Sequence, residues 1–208
     1  MTLYARFYKC DLQMQTPLGP HWREQHTRLR ENDSEERKRD VARAYLRRCH
    51  EVGLEVIGIT DHNFSKDYTR SFIRFLRSEN GSVATETGHK PLVIFPGFEI
   101  EADVGKGCHV VCLFPPEIDL TILESRVTEC GLRADDRFDD KGKPRPSTKR
   151  LPDILDAVQK PKNNRGIVIC PHPFERKGIL NNGEINIWLQ QEEFLNQDLL
   201  AIEIPRPL

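Results

Sequence analysis

Four places in this chain set a histidine or a carboxylate against a run of apolar, β-branched residues. Asp61-His62-Asn63 follows Val56-Ile57-Gly58-Ile59-Thr60, Glu99 follows Leu92-Val93-Ile94-Phe95-Pro96-Gly97, His109 opens Val110-Val111-Cys112-Leu113-Phe114, and His172 follows Ile167-Val168-Ile169-Cys170. Imidazole nitrogens and carboxylate oxygens are the side-chain atoms that hold or orient a divalent metal. A single histidine at a strand end is more often a hydrogen-bonded structural residue than a ligand. Four such groups, each beside an apolar run, are a different matter. Short runs of this kind read as buried strands, and the carboxyl ends of parallel strands in an α/β architecture lie on one face. Asp61, His62, Glu99 and His172 are therefore expected to converge. His109 stands at the amino end of its strand, which misplaces it in an all-parallel sheet unless the Gly105-Lys106-Gly107 turn belongs to the same rim.

The elements that must carry these groups alternate. Phe7 to Gln13 reads as a first strand, left through a loop that Pro17, Gly19 and Pro20 keep irregular, with Gln13 and Gln15 on one face. Asp33 with Glu36 makes a capping-box start to a helix through Val41, Ala44, Tyr45, Cys49 and Val52 that Gly53 ends. Its other face carries Arg37, Lys38, Arg39, Arg43, Arg47 and Arg48, read as a solvated face in preference to a phosphate-binding stripe. Tyr68, Phe72, Ile73, Phe75 and Leu76 mark a second helix expected to stop near Asn80-Gly81, with 82–90 a polar loop. Ile118 to Cys130 gives a third helix, Leu151-Pro152 starts a fourth, and 184–196 a fifth; Leu199 to Ile204 is a sixth strand. Residues 133–150 hold little to bury and read as a mobile surface loop or lid. Strands alternating with helices predict a parallel sheet or a barrel.

Composition narrows the function classes. A chain of 208 residues is one domain by size, and 31 basic against 32 acidic residues leave no net field that draws it to nucleic acid or an anionic membrane. No apolar run approaches the roughly 20 residues that span a bilayer, and no signal-peptide core opens the chain, so a cytoplasmic location is expected. Six cysteines without a C-x-x-C pair read as reduced thiols. Cys108 and Cys112 alternate away from His109 into the core. His26, His50 and His89 are read as surface residues.

Together, Asp11-Leu12-Gln13-Met14-Gln15-Thr16, Ile59-Thr60-Asp61-His62-Asn63, Gly97-Phe98-Glu99 leading to His109, and Pro171-His172-Pro173 resemble the PHP domains, named for polymerases and histidinol phosphatases. The match spans nearly the whole chain. It implies a distorted (β/α)7 barrel, incomplete here at the C-terminus with six strands, and one to three divalent ions (zinc, manganese or iron) serving phosphate-ester hydrolysis. By that pattern Glu99, His109 and His172 hold one ion, and His21 and His62 match ligands of another. Asp61 and Asp11 would orient imidazoles, and Arg176 could meet a substrate phosphate. The pattern normally has histidines where this chain has Gln13 and Gln15, and amides are poor ligands for zinc-like ions, so that metal position is expected to be weakened or empty. Late ligands of the pattern would lie beyond Leu208, which suggests the N-terminal part of a longer protein.

The expected function is a metal-dependent phosphoesterase, acting on nucleic acid or a nucleotide, for instance as a nuclease, with an ATPase module in the same or a partner chain. The ATPase resemblance rests on domain style, since no phosphate-loop motif occurs here. The rival is a catalytically impaired module with a residual metal site, used for nucleic-acid or partner binding or for regulating an ATPase. An amidohydrolase-like barrel is a third possibility, but it would want a His-x-His in the first strand.

Overall fold

The sheet is built from short apolar strands whose alternate side chains meet a layer of helices. In the computed structural model the described residues are 7–19, 22–24, 27–30, 32–65, 67–181 and 187–203, with the side chains of 187–190 left aside. They form β1 (Cys10–Met14), α1 (Glu35–Glu51), β2 (Val56–Ile59), α2 (Thr69–Thr87), β3 (Val93–Ala102), β4 (Cys108–Leu113), α3 (Leu120–Glu129), α4 (Leu151–Gln159), β5 (Ile167–Cys170), α5 (Ile187–Phe194) and β6 (Ala201–Ile202). The strands make one curled sheet in sequence order. Ile94, Phe98, Ile100, Val110, Cys112, Val168 and Cys170 face the helical layer and join one core with Phe72, Leu76, Leu123, Ile154 and Val158. The period of two then turns Glu99 and His109 to the opposite face.

The expected parallel sheet is corrected at one strand. β1, β2 and β3 pair in parallel, but β4 pairs antiparallel with both β3 and β5. The connection between β3 and β4 explains this. Only five residues, 103–107, separate them, too few for the crossover a parallel pair needs, and Gly105 and Gly107 take positive φ to turn the chain back. Gly97 is required at the far end of the β3–β4 ladder, opposite Leu113, because a Cβ there would lie 2.2 Å from the Cys112 carbonyl oxygen.

Four local expectations are also revised. The α1 cap is Ser34, whose hydroxyl accepts the Arg37 N–H, while Asp33 accepts the Arg30 N–H one turn earlier. α2 does not stop at Asn80-Gly81. Val83 and Ala84 continue its buried stripe, the Asn80 amide side chain bonds both backbone groups of Leu92, and Gly88 caps the helix at φ 71°. Its extra turns carry Glu86, which with Glu79 just before them pairs with Arg39, Arg43 and Arg47 of α1. Much of the basic stripe is therefore an inter-helix contact. His50, expected at the surface, is buried and stacked on His89 with ring centroids 4.8 Å apart.

Segment 133–150 is a wall, with more to bury than its composition suggests. Arg137 and Ser147 are buried. The Arg137 guanidinium donates to the carbonyls of Phe64 and Glu124 at 2.7 and 3.0 Å, and the Asn63 amide donates back to the carbonyls of Arg137 and Arg145 at 2.7 and 2.8 Å. A bridge between Phe138 and Pro144 closes it into a narrow loop.

Candidate metal centre

Antiparallel β4 resolves the placement of His109. Reversing that strand brings its amino end to the rim where β2, β3 and β5 finish, so a residue that an all-parallel sheet would have carried away is delivered to Glu99. His109 Nδ1 lies 2.9 Å from Glu99 Oε1 and 3.3 Å from His172 Nε2. One ligand atom from each of Glu99, His109 and His172 falls within 4.8 Å of the others. Bonds of about 2.1 Å to a tetrahedral ion require ligand atoms about 3.4 Å apart, so this donor set fits a divalent ion with a fourth position left open. Two ring nitrogens and one carboxylate oxygen also match the chemistry of zinc-like ions.

Each ligand is held by its surroundings. Glu99 is 2 % exposed, and its backbone is locked to the β2 extension by Glu99 N–H to Asp61 O at 3.2 Å and Asn63 N–H to Glu99 O at 2.8 Å. Burial raises the Glu99 pKa, but the His109 hydrogen bond, the charges of His62 and His109 and a hydrogen bond from Gln13 outweigh it and leave the carboxyl below its ordinary value. His172 sits at φ 31°, and its backbone N–H donates to the Glu203 carboxylate. The His109 backbone N–H donates to the Lys177 carbonyl at 2.9 Å, tying β4 to the loop after His172.

The other oxygen of Glu99 has separate neighbours. Gln13 Nε2 donates to Oε2 at 3.0 Å, and His62 Nε2 lies 3.7 Å from it. Gln13 reaches this point because β1 is irregular between Asp11 and Met14. A bulge re-aims the strand, the Asp11 carboxylate takes up the Gln13 backbone N–H at 3.2 Å, and Gly58 gives the bulge room, since a Cβ there would lie 2.6 Å from the Leu12 carbonyl oxygen.

The remaining expected residues are placed as follows. Asp61 is buried, and its carboxylate accepts from Thr16 N and Oγ1 and from Thr69 Oγ1 at 2.6–2.8 Å, which ties the loop after β1 to the start of α2. Asp11 is exposed and serves the bulge. Gln15 turns toward the Thr60 carbonyl. Arg176 is exposed, while Lys177 pairs with Glu101. His21 and His26 lie outside the described residues. Cys108 and Cys112 are buried in the core. Glu203 was not anticipated: a carboxylate that caps a backbone N–H leaves no signature in residue spacing.

Beside the centre, a cavity of about 670 Å³ has Asp61 and His62 in its wall. Leu29, Tyr68 and Phe138 line it, with Arg28, Arg30 and Arg137. Arg28 and Arg30 are exposed there, with exposed Asp67 on the same wall.

No family model and no curated protein matches this chain. Among solved structures it is similar to a proposed metal-dependent phosphoesterase from Bifidobacterium adolescentis, at 14% identity over 94% of this chain and 77% of that one, with a TM-score of 0.49. A likeness of that degree does not by itself assign an activity. Among the described residues, no helix is long and apolar enough to cross a membrane.

Proposed function

We propose that this chain is a divalent-metal-dependent phosphoesterase domain acting on nucleotide or nucleic-acid phosphate esters, alongside an ATPase module. The observation that carries this reading is the meeting of Glu99 of β3, His109 of β4 and His172 from the loop after β5 at one rim, with spacings that suit a single ion. Bound there, a divalent ion would acidify its water and polarise a phosphoryl oxygen.

The chain's own residues supply the rest. Glu99 holds negative charge at the floor of the site, where burial strengthens its pull on a cation. With an ion bound, His109 and His172 would offer lone pairs from Nδ1 and Nε2, and His172 Nδ1 is buried without a partner among the described residues. His62 lines the arginine-lined cavity and lies within reach of Glu99 Oε2, where it would hold or pass a proton during ester cleavage. Arg28 and Arg30 would draw the charged ester in from solvent. The nucleic-acid or nucleotide substrate and the ATPase partner rest on the family resemblance of the motifs.

One observation favours a second reading. Gln13 donates a hydrogen bond to Glu99 where a further ligand would help catalysis, which suits a module that keeps an ion but turns over poorly. Purified protein loaded with manganese or zinc and offered bis(4-nitrophenyl) phosphate separates the two. Metal-dependent release of nitrophenol that disappears in Glu99→Ala and His172→Ala supports the hydrolase; tight metal binding without release supports the module. Absence of any bound ion refutes both.

A further inference from the structure

We infer that Gln13 sets the number of ions this rim can hold, keeping the Glu99 centre mononuclear. The inference rests on the metal reading of the Glu99–His109–His172 group but not on the reaction. Glu99 turns its two oxygens to two different sets of neighbours. On the Oε1 side stand two imidazole nitrogens, at spacings an ion can span. On the Oε2 side stand one imidazole nitrogen, His62 Nε2 at 3.7 Å, and the Gln13 amide N–H at 3.0 Å. A carboxylate can bridge two ions about 3.5–4 Å apart, one on each oxygen. Among the described residues the second side is one ligand short. With its NH2 group turned to Oε2 the Gln13 amide presents a donor there in place of a lone pair, its carbonyl oxygen is a neutral and poor ligand for zinc-like ions, and the hydrogen bond offsets the charge on Oε2 that a cation would otherwise neutralise.

The donor is held in place by its surroundings. The bulge in β1, the Asp11 carboxylate on the Gln13 backbone N–H and the close approach of Gly58 fix where the side chain starts. A residue 13 with a lone pair at that point would complete a second set with Glu99 Oε2 and His62 Nε2. A single substitution should therefore add an ion that wild type excludes.

The test loads full-length protein with manganese(II), removes the excess by gel filtration, and reads metal content by mass spectrometry and spin coupling by electron paramagnetic resonance. Wild type is expected to show only the signal of isolated ions. Gln13→His should gain one ion per chain together with an exchange-coupled signal, and adding His62→Ala should remove both gains. Gln13→Ala takes away the donor without supplying a ligand and should match wild type. An exchange-coupled pair in wild type, or a folded Gln13→His protein with no added ion, overturns the inference; if Gln13→His does not fold, Gln13→Glu carries the same expectation. Wild type that binds no manganese refutes the metal centre itself, a result distinct from a pair of ions, which refutes only the role of Gln13.

Discussion

Glu203 contributes no atom to the ligand group, yet it decides where His172 stands. A non-glycine residue at φ 31° is uncommon and persists only where its surroundings hold it. The backbone N–H of His172 would have no such hold without the Glu203 carboxylate just past β6. Partners one step removed from a metal typically contribute 10- to 100-fold in affinity by fixing ligand orientation. Glu203→Ala is therefore expected to weaken manganese or zinc binding by about tenfold or more while leaving the thermal midpoint of the metal-free protein nearly unchanged. Calorimetric titration beside a melting curve checks this, and an unaltered affinity would show that the His172 loop holds itself. At this scale the sequence singled out Glu99, His109 and His172, which the fold brings within 4.8 Å of one another, because imidazole and carboxylate at strand ends are chemically conspicuous. It showed Gln13 only as a departure from a pattern; that the amide reaches Glu99 depends on a bulge that no spacing announces.

At the scale of elements, the clamp between Asn63 and Arg137 joins the loop after β2 to segment 133–150 through side chains that satisfy backbone carbonyls in both directions. Asn63 also holds φ 57°, a conformation asparagine tolerates better than alanine. Asn63→Ala strands two carbonyls and strains the backbone, so a loss of about 2–4 kcal/mol in urea unfolding is expected; a loss under about 0.5 kcal/mol would mean the segment is held elsewhere. Ser34→Ala removes the α1 cap and should cost about 1 kcal/mol by the same measurement. The Asp119 cap of α3 adds a pH signature. Hydrogen bonds from the Thr121 backbone and hydroxyl depress its folded pKa below the ordinary 3.8. Its contribution is thus present above the unfolded value and lost as pH falls through the folded one. Asp119→Asn should accordingly flatten the acid limb of a stability-against-pH curve relative to wild type, and curves that stay parallel below pH ~4 would remove the cap from the account. Helix lengths were legible where apolar spacing was unbroken. α2 was misread because Asn-Gly usually ends a helix, whereas here Asn80 is bonded sideways to Leu92.

For the whole molecule, the sheet's connectivity governs both the site and its weak point. The apolar runs revealed the strands but not their directions, since a strand reads alike either way; the short 103–107 connection was the one clue to the reversal that brings His109 home. β3 and β4 are bonded on both sides, whereas among the described residues β1 pairs only with β2 and the two residues of β6 only with β5. Between those edges lies a cavity of about 550 Å³, lined by Asp11, Leu12, Gln13, Ile169, Ala201 and Glu203. Strands with one partner open locally, while central strands exchange their amide protons only when the whole fold opens. Native-state hydrogen exchange across a urea series should therefore show β3 and β4 amides converging on the global unfolding free energy and β1 and β6 amides exchanging from far less stable openings. Because Glu203 and Gln13 sit on those edges and reach into the rim, adding metal should slow exchange at β5, β6 and the His172 loop more than in the helical layer. Protection spread evenly over the chain, or confined to α1 and α2, would contradict a centre that draws the sheet's open edge together.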